Sequence, residues 1–161
     1  MEPLSHEDYW NVQIDWSLPQ EYERLLELGS PNDDLAHLYL ISARYGKNEP
    51  KTIYIGQTYN QWVSKRLTQA DHQSRYADFV ENYSRHRLYV SHGIVTVHDG
   101  KITRKRINDI ERILIYTNDP THAHNIKNFQ GHGVSTPYQI ENRGSRCTLP
   151  RQISLGVFVR Y

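Results

Sequence analysis

The stretch from 37 to 66 constrains this chain most. Two short apolar runs, His37-Leu38-Tyr39-Leu40-Ile41 and Ile53-Tyr54-Ile55, are rich in β-branched and aromatic residues. Between them lies Arg44-Tyr45-Gly46-Lys47-Asn48-Glu49-Pro50, a cluster of turn formers. That pattern predicts two strands joined by a loop. Gly56 closes the second strand, and Asn60 is placed to cap a helix that carries Arg66 about two turns in.

The remaining segments are read by the same rules. Trp10, Val12, Ile14 and Trp16 lie in an opening segment that reads as no single regular element. Ser17-Leu18-Pro19-Gln20 has the form of a capping box, with Pro19 suited to a first helical turn and Gly29 to a stop. Tyr76, Phe79, Val80 and Tyr83 fall on one helical face after Asp71. Residues 87–98 read as a strand in which Gly93 marks a bulge or a close backbone approach. Residues 103–116 read as a helix capped by Thr103, with Ile107, Ile110, Ile113 and Leu114 as its apolar stripe. Residues 153–159 alternate as a final strand.

Charge is divided unevenly. Residues 1–36 hold nine acidic side chains against Arg24 alone, while the rest holds 18 basic and nine acidic ones, so the net +1 conceals −8 beside +9. The basic body is suited to attract phosphate backbones. Lys101, Arg104, Lys105 and Arg106 crowd the start of the helix at 103–116, against its dipole, a conflict that a bound phosphate or solvent relieves. No stretch is long and apolar enough to cross a bilayer, and the acidic N-terminus does not have the form of a signal peptide. With a single cysteine, Cys147, no intrachain disulfide can form. A reducing, cytoplasmic setting is therefore expected.

The unit of two strands, loop, Tyr54-Ile55-Gly56 and Arg-bearing helix resembles the core of the GIY-YIG nuclease family. The second half-motif is intact and Gln57-Thr58 after it also fits; in the first, His37-Leu38-Tyr39 stands where Gly-Ile-Tyr is expected. The resemblance spans residues 37–128. It implies an α/β fold: a small three-stranded antiparallel sheet flanked by helices, within a single domain over 1–161. An acidic N-terminal helical extension (1–36) and a C-terminal extension with a strand (129–161) would embellish it.

The resemblance also implies chemistry, namely cleavage of DNA phosphodiester bonds with Mg²⁺ or Mn²⁺. Tyr54, assisted by Tyr39 or His72, would prepare the attacking water. Arg66 would bind the scissile phosphate through its planar fork, with Lys65 a neighbouring and Arg75 a more distant competitor. Glu111 would hold the metal, and Asn125, after Pro120, would help fix the site. Where other members carry a histidine or tyrosine one turn after the arginine, this chain has Ala70, and His72 is the nearest substitute. Arg143, Arg146 and Arg151 are candidate base readers, since arginine is the commonest partner of guanine. Together with Lys65, Arg75, Lys101, Arg104, Lys105 and Arg106 they form the expected DNA-binding set. A compact restriction-like enzyme acting on double-stranded DNA as a homodimer on a two-fold symmetric site is the leading reading. The alternatives are an inactive nucleic-acid-binding module on the same fold, a repair or mobile-element nuclease, and an RNA-directed nuclease. A rival metal site at His122 and His124 would need further ligands, and only Asp119 is near.

Overall fold

The computed structural model describes residues 9–98, 100–118, 134 and 136–155. In chain order the elements are β1 (Trp10–Trp16), β2 (Gln20–Glu21), α1 (Tyr22–Leu28), β3 (Leu38–Arg44), β4 (Lys51–Gln57), α2 (Val63–Leu67), α3 (Ala70–Asn82), β5 (Arg87–Val97), α4 (Arg104–Thr117), β6 (Tyr138–Gly144) and β7 (Gln152–Leu155). Among the described residues no helix is long and apolar enough to cross a membrane.

The expected small three-stranded antiparallel sheet is not what forms. The strands join one curled seven-stranded sheet, a half-barrel, in the order β4-β3-β5-β1-β6-β7, with β2 also on β5. The difference originates in the first described segment. It is a strand in the middle of the sheet and not a helical extension: Val12, Ile14 and Trp16 turn inward in alternation. β1 pairs antiparallel with β5 and parallel with β6, and so carries the sheet on to β6 and β7.

The capping box does not form either. Ser17 Oγ accepts from the His92 N–H (2.8 Å), while the Ser17 N–H donates to the His92 carbonyl (2.9 Å). The segment thus stays with β5 through β2, and α1 begins at Tyr22 with no side-chain cap. Gly29 does end α1, at φ 67, its N–H donating to the Leu25 carbonyl. Asn60 is a left-handed turn residue at φ 60, and Trp62 occupies the cap position of α2. Thr103 caps α4 as expected, its side chain accepting from the Arg106 N–H (3.2 Å).

Two apolar layers position the site. On one side of the sheet, Leu38, Leu40 and Ile55 pack with the α4 stripe Ile107, Ile110, Ile113 and Leu114. On the other, Tyr39, Ile41, Ile53 and Tyr54 pack under Tyr22 and Leu25 of α1, Val63 and Leu67 of α2 and Phe79 of α3. The alternation along β3 divides its side chains between the two layers. Gly93 is a close approach, since a Cβ there would stand 2.8 Å from the Trp16 ring.

Candidate active site

The site lies where β3 and β4 run under α2 and α3. Gly56 pairs with Tyr39 across the two strands, and the Tyr39 ring lies over the Gly56 α-carbon so closely that no side chain fits there. The glycine of the Tyr-Ile-Gly run is therefore required by a neighbouring ring, its own φ being unremarkable. Tyr54, two residues earlier, falls on the same side of the strand. The two rings meet at 6.0 Å between centroids, tilted by 31°.

α3 supplies the next groups. His72 and Arg75 are one helical turn apart, and both reach the tyrosines. Tyr39 Oη and His72 Nε2 are 2.6 Å apart, and Arg75 Nη1 donates to Tyr54 Oη over 2.6 Å. Arg75 also covers the Tyr54 ring, its guanidinium carbon 4.7 Å from the centroid. Each tyrosine influences the titration of the other. His72 Nδ1 is buried without a hydrogen-bond partner. An orphaned acceptor is tolerated better than an orphaned N–H, so the tautomer with the proton on Nε2 fits the site. His72 then donates to Tyr39 Oη, and Arg75 donates to Tyr54 Oη.

Burial governs the titration of these groups. It raises both phenols, Tyr39 well above its ordinary value and Tyr54 less so, because Arg75 and Tyr39 oppose the rise at Tyr54. Both are protonated at neutral pH, and of the two Tyr54 is the one equipped to carry negative charge. Burial, aided by Arg66 and Arg75, lowers His72 to about 4, so its ring is neutral.

Arg66 on α2 is held from one end. Its Nη1 and Nη2 bond the two oxygens of Asp71, each at 2.9 Å, and Nη1 also donates to Gln69 Oε1 at 2.6 Å. A guanidinium has five N–H donors. These bonds use three, leaving Nε–H and the second Nη2–H as a side fork of the width a phosphate takes. Asp71 is held well below the usual carboxylate range by Arg66.

Glu111 arrives from the other layer. α4 packs along β4, and Gln57, the last residue of β4, donates to Asn108 of α4 and lowers the pKa of Glu111. Burial pushes Glu111 up to about 7, with Gln57, Arg112 and Arg66 opposing. Its charge acts on Tyr39 and on Tyr54, as does that of Arg66. Tyr39, Tyr54, His72 and Arg75 thus touch one another, and the charges of Arg66 and Glu111 act on both tyrosines, although 72 positions separate Tyr39 from Glu111 in the chain.

The other predicted residues lie elsewhere. Lys65 is exposed on α2. Lys101 is exposed before α4, Arg104 covers Tyr59 at 5.0 Å, Lys105 pairs with Asp109 at 3.0 Å and Arg106 covers Trp10 at 3.8 Å. Arg143, itself paired with Glu141 at 3.0 Å, lines a groove of about 490 Å³ with Arg146 and Arg151. That groove is beside β6, separated from β4 by three strands. Asn125, His122, His124 and Asp119 lie outside the described residues. Sequence reasoning passed over Asp71 and Gln69, which orient Arg66, and Gln57 as the partner of Glu111. The short spacing of Arg66, Gln69 and Asp71 around the start of α3 was the available signal.

No family model, curated protein or solved structure matches this chain. The functional reading rests on the geometry.

A divalent cation is compatible with this donor set. Mg²⁺ keeps several waters and is commonly bound by one or two carboxylates together with substrate phosphate. Glu111 offers one such carboxylate, held at an elevated pKa by burial that its surrounding cations do not offset. Among the described residues no group of three His, Cys, Asp or Glu side chains gathers to form an all-protein cage.

Proposed function

We propose that the chain is a metal-dependent endonuclease that hydrolyses phosphodiester bonds of duplex DNA. The observation that supports the reading is the grouping of Tyr54, with the Arg75 donor on its hydroxyl, with Arg66, its side fork open, and the partly buried carboxylate of Glu111, whose charges both act on Tyr54. Hydrolysis of a phosphodiester needs these roles: a group to take the proton of water, positive charge on the phosphate and a means to stabilise the leaving oxygen.

Arg66 binds the scissile phosphate through Nε–H and Nη2–H, while Asp71 and Gln69 keep the guanidinium plane from rotating. Tyr54 Oη takes the proton of the attacking water as the phenolate, which the Arg75 donor stabilises. His72 fixes the Tyr39 hydroxyl toward Tyr54. Glu111 would hold the Mg²⁺ or Mn²⁺ ion, which when bound supplies positive charge at the leaving oxygen. Because the Tyr54 phenol is raised, its reactive form grows with pH, and cleavage accelerates from neutral toward alkaline pH. A homodimer would place two such sites on the two strands of a symmetric target.

The test is plasmid, single-stranded DNA and RNA cleavage with Mg²⁺ and with EDTA. Discrete plasmid fragments in Mg²⁺ alone support a restriction-like enzyme. Binding without cutting, in every metal and pH condition, replaces the reading with an inactive module. Preferential cutting of RNA moves the substrate class.

A further inference from the structure

A second cavity, of about 420 Å³, opens between the start of β3 and the loop from β4 to α2. Its walls include Trp62 and Tyr59. Trp62 is 59% exposed, a large apolar surface to leave in water. The opposite character is also present: the Arg104 guanidinium lies over the Tyr59 ring at 5.0 Å. Around the aromatics stand His37, Asp34 and Asn60. His37 Nδ1 accepts from the Val95 N–H (3.2 Å), so in the neutral ring the proton sits on Nε2, a donor. Asp34 is an acceptor, and the Asn60 amide is both donor and acceptor. His37 is also the residue at which the first half-motif departs from glycine, so that departure supplies part of this lining.

The cavity adjoins the helix of the candidate phosphate ligand. The Trp62 carbonyl accepts from the Arg66 N–H (2.9 Å), so the backbone of Trp62 lies about one helical turn before that of Arg66. Lys65 is exposed on the same helix. Flat aromatic faces beside cations and a short edge of mixed hydrogen-bonding groups are what an unstacked nucleobase needs.

We propose that this cavity is a nucleobase subsite, in which Trp62 stacks on a base extruded from the duplex or already single-stranded while the adjoining phosphate lies at Arg66. The subsite rests on the endonuclease reading for its phosphate position. Enzymes that draw a base out of the stack bear the unpairing cost and recover it through such contacts.

The experiment measures binding of the full chain, with Ca²⁺ in place of Mg²⁺, to a single-stranded DNA oligomer and to an equally long deoxyribose-phosphate oligomer without bases. Wild type, Trp62→Ala and Trp62→Phe are compared, with thermal melting of each variant to verify folding. Trp62→Ala is expected to weaken binding of the base-containing strand by about fivefold to a hundredfold. Trp62→Phe should recover most of that loss, and the variants should not differ on the baseless strand. Equal affinity of wild type and Trp62→Ala overturns the subsite, as does a loss of the same size on the baseless strand. Plasmid cleavage that proceeds with no Trp62 effect in either assay removes the subsite and leaves the nuclease. Trp62-dependent binding with no cleavage removes the nuclease and leaves the subsite.

Discussion

Replacing Glu111 with glutamine should stabilise the protein, and by an amount that depends on pH. Burial raises the carboxyl from 4.5 to about 7. A raised acid contributes its stability below the unfolded value and loses it as pH climbs through the folded one. At pH 8 both states are ionised, and the shift corresponds to a cost of about 3 kcal/mol for carrying the charge in the folded chain. At pH 5 the unfolded group is mostly ionised and the folded one is not, which leaves a cost of about 0.8 kcal/mol. The amide in Glu111→Gln has the same shape and retains an acceptor for Gln57. The variant should therefore gain about 2 kcal/mol more at pH 8 than at pH 5. For a chain of this size that corresponds to a melting temperature higher by roughly 4–8 °C. Melting by circular dichroism of both proteins at the two pH values, with EDTA present, checks it. Mg²⁺ should raise the wild-type melting temperature at pH 8 and leave that of the variant unchanged. Cleavage by the variant should be lost. An equal gain at both pH values, or a loss at pH 8, would refute the burial argument; a variant that cuts at the wild-type rate would refute the metal assignment.

Other perturbations address the remaining members of the site. Gly56→Ala forces a Cβ into the Tyr39 ring; overpacking of this kind costs about 1–3 kcal/mol, readable as a lower urea midpoint, and should carry activity down with it. Arg75→Ala removes the donor at 2.6 Å from Tyr54, so the rising limb of the pH–rate profile should move to higher pH; an unmoved profile would exclude Arg75 from that role. His72, lowered from 6.5 to about 4, should remain neutral by NMR down to about pH 5, and its share of stability should persist above 6.5 and fall away as pH drops toward 4. Asp71→Asn unpins Arg66 at a partly exposed pair; melting should change by no more than a degree or two, since such pairs contribute about 0–1 kcal/mol, while phosphate-dependent DNA affinity changes severalfold.

The sequence by itself determined the elements whose periodicity is local. β3, β4, β5, α3 and α4 are written in the spacing of their apolar residues, and the Gly29 stop and Thr103 cap in single residues whose chemistry acts within a few positions. The strand-loop-strand-helix pattern also drew attention to Tyr39, Tyr54 and Arg66, and the family resemblance to Glu111 on the later helix. Only the tertiary structure decided which strand lies beside which. Val12, Ile14 and Trp16 alternate, but alternation tells which face turns inward and not which edge finds a partner, so the central place of β1 between β5 and β6 was not legible. For the same reason Ser17, a cap by local rules, went to His92, 75 residues away. The site's electrostatics were decided there too. A phenol, an imidazole or a carboxyl acquires its pKa from what excludes water and which charges stand near, and these neighbours come from five separate elements, β3, β4, α2, α3 and α4.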